Sequence, residues 1–400
     1  MKKNSSLFGL PEKVKFCSKC VISNQRPRSV VEFHNIDNIK KGMNIDDKNI
    51  ICDACKYNET KNKINWKKRE QDLIKLLDKY RKPSGYDCVV PGSGGKDSAY
   101  TAHILKYKYN MNPLTVTWAP HMYTEIGWKN FDNWTKIGGL DNILFTPNGK
   151  VHKLLTALAF KNLLHPFQPF IIGQKIIGPL IALKFNIPLI FYGENQAEYG
   201  NAIEENSSPE MDEKFFSLKE NSEIILGGLK LSDILKDFKF KLNDFEPYMP
   251  PSISDLKEKK IIQSFLGYYL KWDPQECYYY AAKNTGFRPN TERTEGSYSK
   301  YSSIDDKIDP FHYYLTFIKF GLGRASYDAA QEIRNGKITR DEGINLVKLY
   351  DHEFPIKYFN EFLDYVDISK EQFYLTVDKF RSPHLWEKND NSWGLLQKIY

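Results

Sequence analysis

With 400 residues, 41% of them apolar, the chain has material for two or three domains with proper cores. A mean hydropathy of -0.54, and no run near the roughly eighteen apolar residues that a bilayer demands, exclude a membrane-spanning helix. The net charge of +7, from 57 Lys and Arg against 50 Asp and Glu scattered along the chain, suits an anionic ligand without choosing among nucleotide, nucleotide-sugar and RNA.

The first residues are basic, as in a secretory signal, but Pro11, Glu12 and Lys13 interrupt the apolar stretch, so a cytoplasmic protein is expected. Residues 1–60 are polar and anchored by two pairs, Cys17-x-x-Cys20 and Cys52-x-x-Cys55. Four thiolates from two such knuckles make a closed tetrahedral Zn²⁺ site, structural because no ligand position is left for a substrate. The competing reading is disulfides, which a reducing compartment disfavours. Cys88 and Cys277 read as core thiols. A helix over 61–84 links this module to the next, with Trp66, Leu73, Leu76, Leu77 and Tyr80 at helical spacing.

Residues 85–245 alternate apolar, strand-like runs at 86–91, 114–118, 143–145 and 188–192 with helical stretches at 97–109, 128–138 and 151–185. Such alternation predicts an α/β fold with a doubly wound parallel sheet. Strand signals fade after about 205, and an irregular stretch runs to Pro250-Pro251. The last part, 246–400, reads as a helical domain with helices at 254–271, 274–284, 310–320, 327–335, 340–351, 356–366 and 369–379.

The most informative segment is Pro91-Gly92-Ser93-Gly94-Gly95-Lys96-Asp97-Ser98, where a strand enters a glycine turn and then a helix. Glycines let backbone N–H groups turn inward, and the helix adds its unpaired first-turn donors and positive dipole end, so the geometry binds phosphate. A Walker A loop would need Gly at 90 and Ser or Thr at 97, where Val90 and Asp97 stand. The dinucleotide fingerprint would place glycine where Asp97 stands. A carboxylate there repels phosphate unless a cation intervenes, so Asp97 points to a metal-bridged triphosphate. A second polar segment, Gly193-Glu194-Asn195-Gln196-Ala197-Glu198, leaves the carboxyl end of the 188–192 strand and faces the same crevice. Glu194 and Glu198 join Asp97 as candidate Mg²⁺ ligands, since that ion takes hard oxygen donors.

Ser93-Gly94-Gly95-Lys96-Asp97-Ser98 resembles the Ser-Gly-Gly-x-Asp-Ser motif of PP-loop ATP pyrophosphatases. The resemblance implies an adenine nucleotide alpha hydrolase-like fold, attack at the α-phosphorus of ATP, catalytic roles for Lys96, Asp97 and Glu194, and nucleotide contacts from the loop, Asn195 and the strand end at Thr117, Trp118 and Ala119. Over nearly its whole length the chain is similar to the N-acetyl sugar amidotransferase family of the WbpG and PseA type. The similarity is carried by the Cys pairs, Tyr192-Gly193-Glu194-Asn195 with Glu198-Tyr199-Gly200, Leu266-Gly267-Tyr268-Tyr269 with Trp272-Asp273-Pro274, and residues 319–328. It implies an ATP-dependent ligase that adenylates the acetamido oxygen of a UDP- or CMP-linked or free acidic sugar and replaces it with ammonia. The product is an acetamidino sugar for surface glycans such as lipopolysaccharide O-antigen or pseudaminic acid-type flagellin glycan. The ammonia would come from a separate HisH-like glutaminase, with a HisF-like companion, because Met1-Lys2-Lys3 offers no nucleophilic cysteine of its own. Arg288, Arg293, Lys319 and Arg324 are candidate grips for a sugar carboxylate or diphosphate. The rivals are a tRNA-modifying PP-loop enzyme and a zinc-knuckle binding protein without catalysis; nucleic acid is not the expected partner.

Overall fold

The computed structural model describes residues 6–36, 39–199, 208–219, 222–390 and 392–400. Gly200, one of the residues carrying the family resemblance, lies outside them, as do Met1 to Lys3. No helix among the described residues is long and apolar enough to cross a membrane.

The cysteine-bearing segment is mostly irregular until α1 (Asp53–Lys61), and α2 (Trp66–Tyr80) follows, capped by the Asn65 side chain and burying Leu73 and Leu77. The α/β unit then runs β1 (Cys88–Pro91), α3 (Lys96–Tyr107), β2 (Pro113–Trp118), α4 (Glu125–Lys136), β3 (Asp141–Phe145), α5 (Gly149–Leu163), α6 (Gln168–Phe185) and β4 (Leu189–Tyr192). The expected helix at 151–185 is two helices, because Leu164 at φ 48° takes the left-handed conformation that ends α5. A hairpin, β5 (Ile225–Leu226) and β6 (Leu229–Lys230), leads to α7 (Leu231–Asp237), α8 (Ile253–Glu258), β7 (Ile262–Phe265) and α9 (Leu266–Tyr269).

Five strands form one sheet in the order β3-β2-β1-β4-β7, with every neighbouring pair parallel. β7 corrects the sequence reading twice. It lies past the boundary drawn at 245, and it replaces the middle of the helix expected over 254–271. Its centre is Gln263 and Ser264, polar yet 2% and 1% exposed, so no apolar run announces the strand. Pairing with β4 and bonds to Met211 Sδ and the Pro209 carbonyl make it one.

Alternation along β1 builds two cores. Cys88 and Val90 pack with Leu77, Ala102, Leu105 and Trp134 on the α2, α3 and α4 side. Val89 packs on the other face with Leu114, Val116, Leu155, Ile176 and Ile177, on the α5 and α6 side. Helices therefore cover both faces, as a buried parallel sheet requires.

The rest is helical: α10 (Pro274–Asn284), α11 (Asp309–Phe320), α12 (Arg324–Arg334), α13 (Arg340–Tyr350), α14 (Phe359–Val366) and α15 (Lys370–Lys379). A closing antiparallel hairpin, β8 (Trp386–Asn389) with β9 (Ser392–Leu395), was not anticipated. These late elements pack on the early ones. Arg340 donates to the carbonyls of Cys17 and Cys20, both at 3.2 Å. His384 Nε2 meets Gln25 Oε1 at 3.0 Å, and the Leu7 amide donates to Ser382 Oγ at 3.1 Å.

Candidate active site

The strand order reverses between β1 and β4, and both carboxyl ends open into one crevice, the place where open α/β sheets bind ligands. From β1 emerges the glycine loop. Gly94, at φ +82°, turns so close to α4 that a Cβ would lie 2.9 Å from Phe131 Cα, while one on Gly92 would meet Ser98 Cβ at 2.1 Å. Gly95 caps α3 with no side chain, leaving the first-turn amides facing the crevice; the first helical bond is Ala99 N–H to the Gly95 carbonyl at 2.9 Å.

Pro91, Gly92, Ser93, Asp97, Ser98 and Glu194 border a cleft of about 790 Å³, with Trp118 from β2 behind it and Gln174 and Lys175 from α6 across it. Burial and the neighbouring Asp97 both raise the pKa of Glu194, with Lys175 opposing. Lys175 is itself pushed down by burial. Two carboxylates beside a glycine loop that ends in a helix N-terminus, with Asp97 disfavouring the charge of Glu194, are a donor set that fits Mg²⁺. Asp97 is held at both oxygens: Lys96 Nζ donates to Oδ2, and the Trp272 indole donates to Oδ1 at 3.0 Å. Burial works against the Lys96 ammonium, but Asp97 outweighs it and raises the pKa.

Asp97 also borders a second cavity of about 760 Å³, which Lys96 lines together with Trp272, Tyr313, Arg324 and Asp328. Arg324 Nε lies 3.0 Å from Asp328 Oδ1, with the guanidinium over the Tyr313 ring at 4.4 Å. Buried Asp309 adds its field to Arg324, and burial lifts the Asp309 pKa to about 7 against that cation's pull. Tyr199, Tyr313 and Tyr327 separate this cavity from a third, of about 1060 Å³, lined by Arg26, Arg28, Lys40 and Lys319, with Glu32 the one carboxylate in its described lining.

Several expected positions lie elsewhere. Glu198 does not join Asp97 and Glu194: it is 1% exposed and ion-paired to Lys61 at 2.6 Å. Asn195 is 4% exposed and spends its amide on the Tyr57 hydroxyl, at 2.7 Å, and the Gly267 carbonyl, at 3.3 Å. Arg293 forms a two-pronged pair with Glu353, both contacts at 2.6 Å, in a separate surface cleft. The exposed Arg288 holds α4 through its backbone, which exchanges two bonds with Asn130. Lys319 Nζ donates to the Leu163 carbonyl at 2.6 Å and lines the third cavity, so of the four basic candidates Arg324 alone borders the cavity shared with Lys96. Lys175, Trp272 and Asp309 were missed. Lys175 sat inside an apolar helical stretch and Asp309 is distant in sequence, so no local signal marked them; Trp272 stood in a segment that carries the family resemblance, but nothing local gave it a role at Asp97.

The four module cysteines are 0–4% exposed, with sulfurs all within 4.8 Å of one another and Cys20 Sγ 3.8 Å from Cys52 Sγ. That rules out the disulfide between those two, whose sulfurs would be ~2 Å apart. It matches one tetrahedral ion, since ligands at ~2.3 Å leave their neighbours a little under 4 Å away. Cys88 and Cys277 are buried, and burial raises both thiol pKa values, as suits core thiols.

Residues 295–400 match the family model described as LPS biosynthesis protein WbpG-like, C-terminal domain. A stretch of 78 residues is 35% identical to the uncharacterized protein MJ1599 of Methanocaldococcus jannaschii, covering 19% of this chain and 27% of that protein. Among solved structures the chain is similar to NMN synthetase from Francisella tularensis, at 12% identity and TM-score 0.31, over 76% of this chain and 98% of that one. It is similar to the U34-tRNA thiolase NcsA from Methanococcus maripaludis with its [4Fe-4S] cluster, at 15% and 0.31, over 80% and 86%. A third likeness is NH3-dependent NAD synthetase from Campylobacter jejuni, at 16% and 0.26, over 33% of this chain and 58% of that one.

Proposed function

We propose, from the premise that residues 295–400 are a WbpG-like C-terminal domain facing a phosphate loop at the switch point of a parallel sheet, that this protein is an AMP-forming amidotransferase acting on an N-acetylated sugar. The observation that carries the reading is the position of Asp97 in the wall between two cavities, one at the glycine loop and one bordered by Lys96 and the C-terminal domain. A nucleotide in the first and an acceptor in the second would meet at Asp97.

The acetamido oxygen attacks the α-phosphorus of ATP, the bond to the bridging oxygen breaks, and pyrophosphate leaves. Ammonia then adds to the imidate carbon, loses a proton, and expels AMP. Adenylation is needed because an amide oxygen is a poor leaving group. The loop amides and Lys96 stabilise charge that develops on phosphate oxygens. Asp97 and Glu194 would hold Mg²⁺, which screens the phosphates and acts as a Lewis acid. Trp118 offers an aromatic wall for adenine. The four thiolates, grouped for a single tetrahedral ion, would hold zinc in a structural role. Arg324, and the third cavity with Arg26, Arg28 and Lys40 around one carboxylate, favour an acidic or nucleotide-linked sugar. Ammonia is assigned to a separate HisH-like glutaminase with a HisF-like companion from family resemblance, and the cell compartment to the cytoplasm from the apolar stretch that Pro11, Glu12 and Lys13 interrupt.

The test is pyrophosphate release from ATP with ammonium chloride and a panel of acetamido sugars, free and nucleotide-linked, with tRNA as control. Release dependent on one sugar, with a product lighter by the difference between oxygen and an imino group, is the expected result. Release dependent on tRNA alone sinks the reading.

A further inference from the structure

α1 grows out of the cysteine module: Cys52 is its N-cap and Cys55 lies in its first turn. Two of its side chains contact segments that border the active site. The Tyr57 hydroxyl accepts from Asn195 Nδ2 at 2.7 Å, and Asn195 follows Glu194 in the chain. That segment is clamped from below by Gly267, where a Cβ would lie 2.9 Å from the Glu194 carbonyl carbon. Lys61, the last residue of α1, is 1% exposed and directs its ammonium at three partners: the Glu198 carboxylate at 2.6 Å, the Trp272 carbonyl at 2.7 Å and Asn335 Oδ1 at 3.3 Å. Trp272 in turn donates its indole N–H to Asp97 Oδ1. Arg334, 6% exposed, closes the circuit by donating to the Glu198 carbonyl at 2.9 Å.

Burying an ion pair this deeply costs several kcal/mol in desolvation per ion, and well-packed apolar residues would serve stability as well or better. The pair therefore needs a reason other than stability. All three partners of Lys61 belong to segments at the active site: Trp272 and Asn335 line the second cavity, and Glu198 follows Glu194 by one turn. The ammonium thus sets where the Trp272 main chain sits, and through the indole where the Asp97 carboxylate points.

We propose that Lys61 and Tyr57, carried on the metal module, are positioning residues that fix the Asp97 and Glu194 carboxylates at the spacing Mg²⁺ requires. This rests on the ATP-site reading above. The cysteine module is then not an appendage but the far end of the catalytic scaffold.

The probe is α,β-methylene-ATP, its binding to the full chain followed by calorimetry across a Mg²⁺ titration. Lys61→Met alone leaves Glu198 buried and unpaired and is expected to destabilise, so the deciding variant is Lys61→Met with Glu198→Gln, which leaves neither charge alone. Bound metal and melting temperature are measured alongside. The expected result is a double variant with wild-type metal content and near wild-type melting, but with half-saturating Mg²⁺ raised about tenfold, as small displacements of catalytic groups produce. Tyr57→Phe is expected to move the same quantity in the same direction by less. A folded, metal-loaded double variant whose Mg²⁺ dependence equals the wild type overturns the positioning role. Wild-type protein that binds no nucleotide at any Mg²⁺ concentration overturns the ATP site itself.

Discussion

Asp97 shows how much one side chain can be asked to do: it sits in the first turn of a helix, borders two cavities and has both oxygens engaged. Its side chain is 25% exposed, so Asp97→Asn should barely change thermal stability while lowering pyrophosphate release by ~10²-fold or more, checked by release assay and melting curve on one preparation. Asp309 gives a pH signature. In the unfolded chain its carboxyl titrates near ~4, while burial raises it to about 7 in the fold. Between those values the folded protein holds a proton that the unfolded chain releases, so this residue lowers stability as pH rises from ~4 to about 7. Asp309→Asn removes that term, and its melting temperature should exceed the wild type's at pH 8 by several degrees and converge with it toward pH 5. Residues of the glycine loop were legible in the sequence because loop chemistry is local: the glycines, Lys96 and Asp97 are consecutive. Trp272 and Lys61 were not, since their roles arise from contacts 175 and 211 residues away in sequence.

At the scale of elements, the close approach of α6 to the sheet shapes the nucleotide cleft. A Cβ on Gly173 would lie 2.1 Å from the Trp118 ring, so Gly173→Ala must displace either the helix or the indole. Overpacking of this kind costs ~1–3 kcal/mol, and urea unfolding of Gly173→Ala should show that loss together with weaker nucleotide binding. The metal module invites a second check. Cys55→Ser should abolish bound metal and unravel α1, seen as reduced helicity and a lower melting temperature, while the wild type should carry one metal ion per chain and no visible colour. Four strands of the sheet were readable because they are apolar runs between glycine and proline punctuation. β7 was not, because a strand centred on Gln and Ser acquires its character from its neighbours. Leu164 likewise breaks a continuous helical pattern through a left-handed backbone that no local propensity announces.

Over the whole molecule, the three cavities meet in sequence at shared walls, Asp97 between the first pair and three tyrosines between the second. If the acceptor enters from the C-terminal side, Arg324→Met should raise the KM for an anionic acceptor about tenfold or more and leave the KM for ATP within about twofold, read by steady-state kinetics. The α/β class, the cysteine module and the helical C-terminal part were visible from periodicity and spacing alone. What periodicity could not convey is how the parts are arranged around one another, since packing between domains leaves no repeat in the sequence.

The cysteine pairs are translated well before the residues that enclose them: the carbonyls of Cys17 and Cys20 are gripped by Arg340, and Ala329, Ala330 and Val347 complete the apolar surroundings of the four. After Cys20 the ribosome has therefore made 320 further residues before Arg340 can close the shell over the first pair. Throughout that interval the thiols wait exposed to oxidation and to the wrong ion. Faithful metal loading then becomes a matter of timing as much as affinity, and expression rate and metal supply during growth should govern the yield of intact protein.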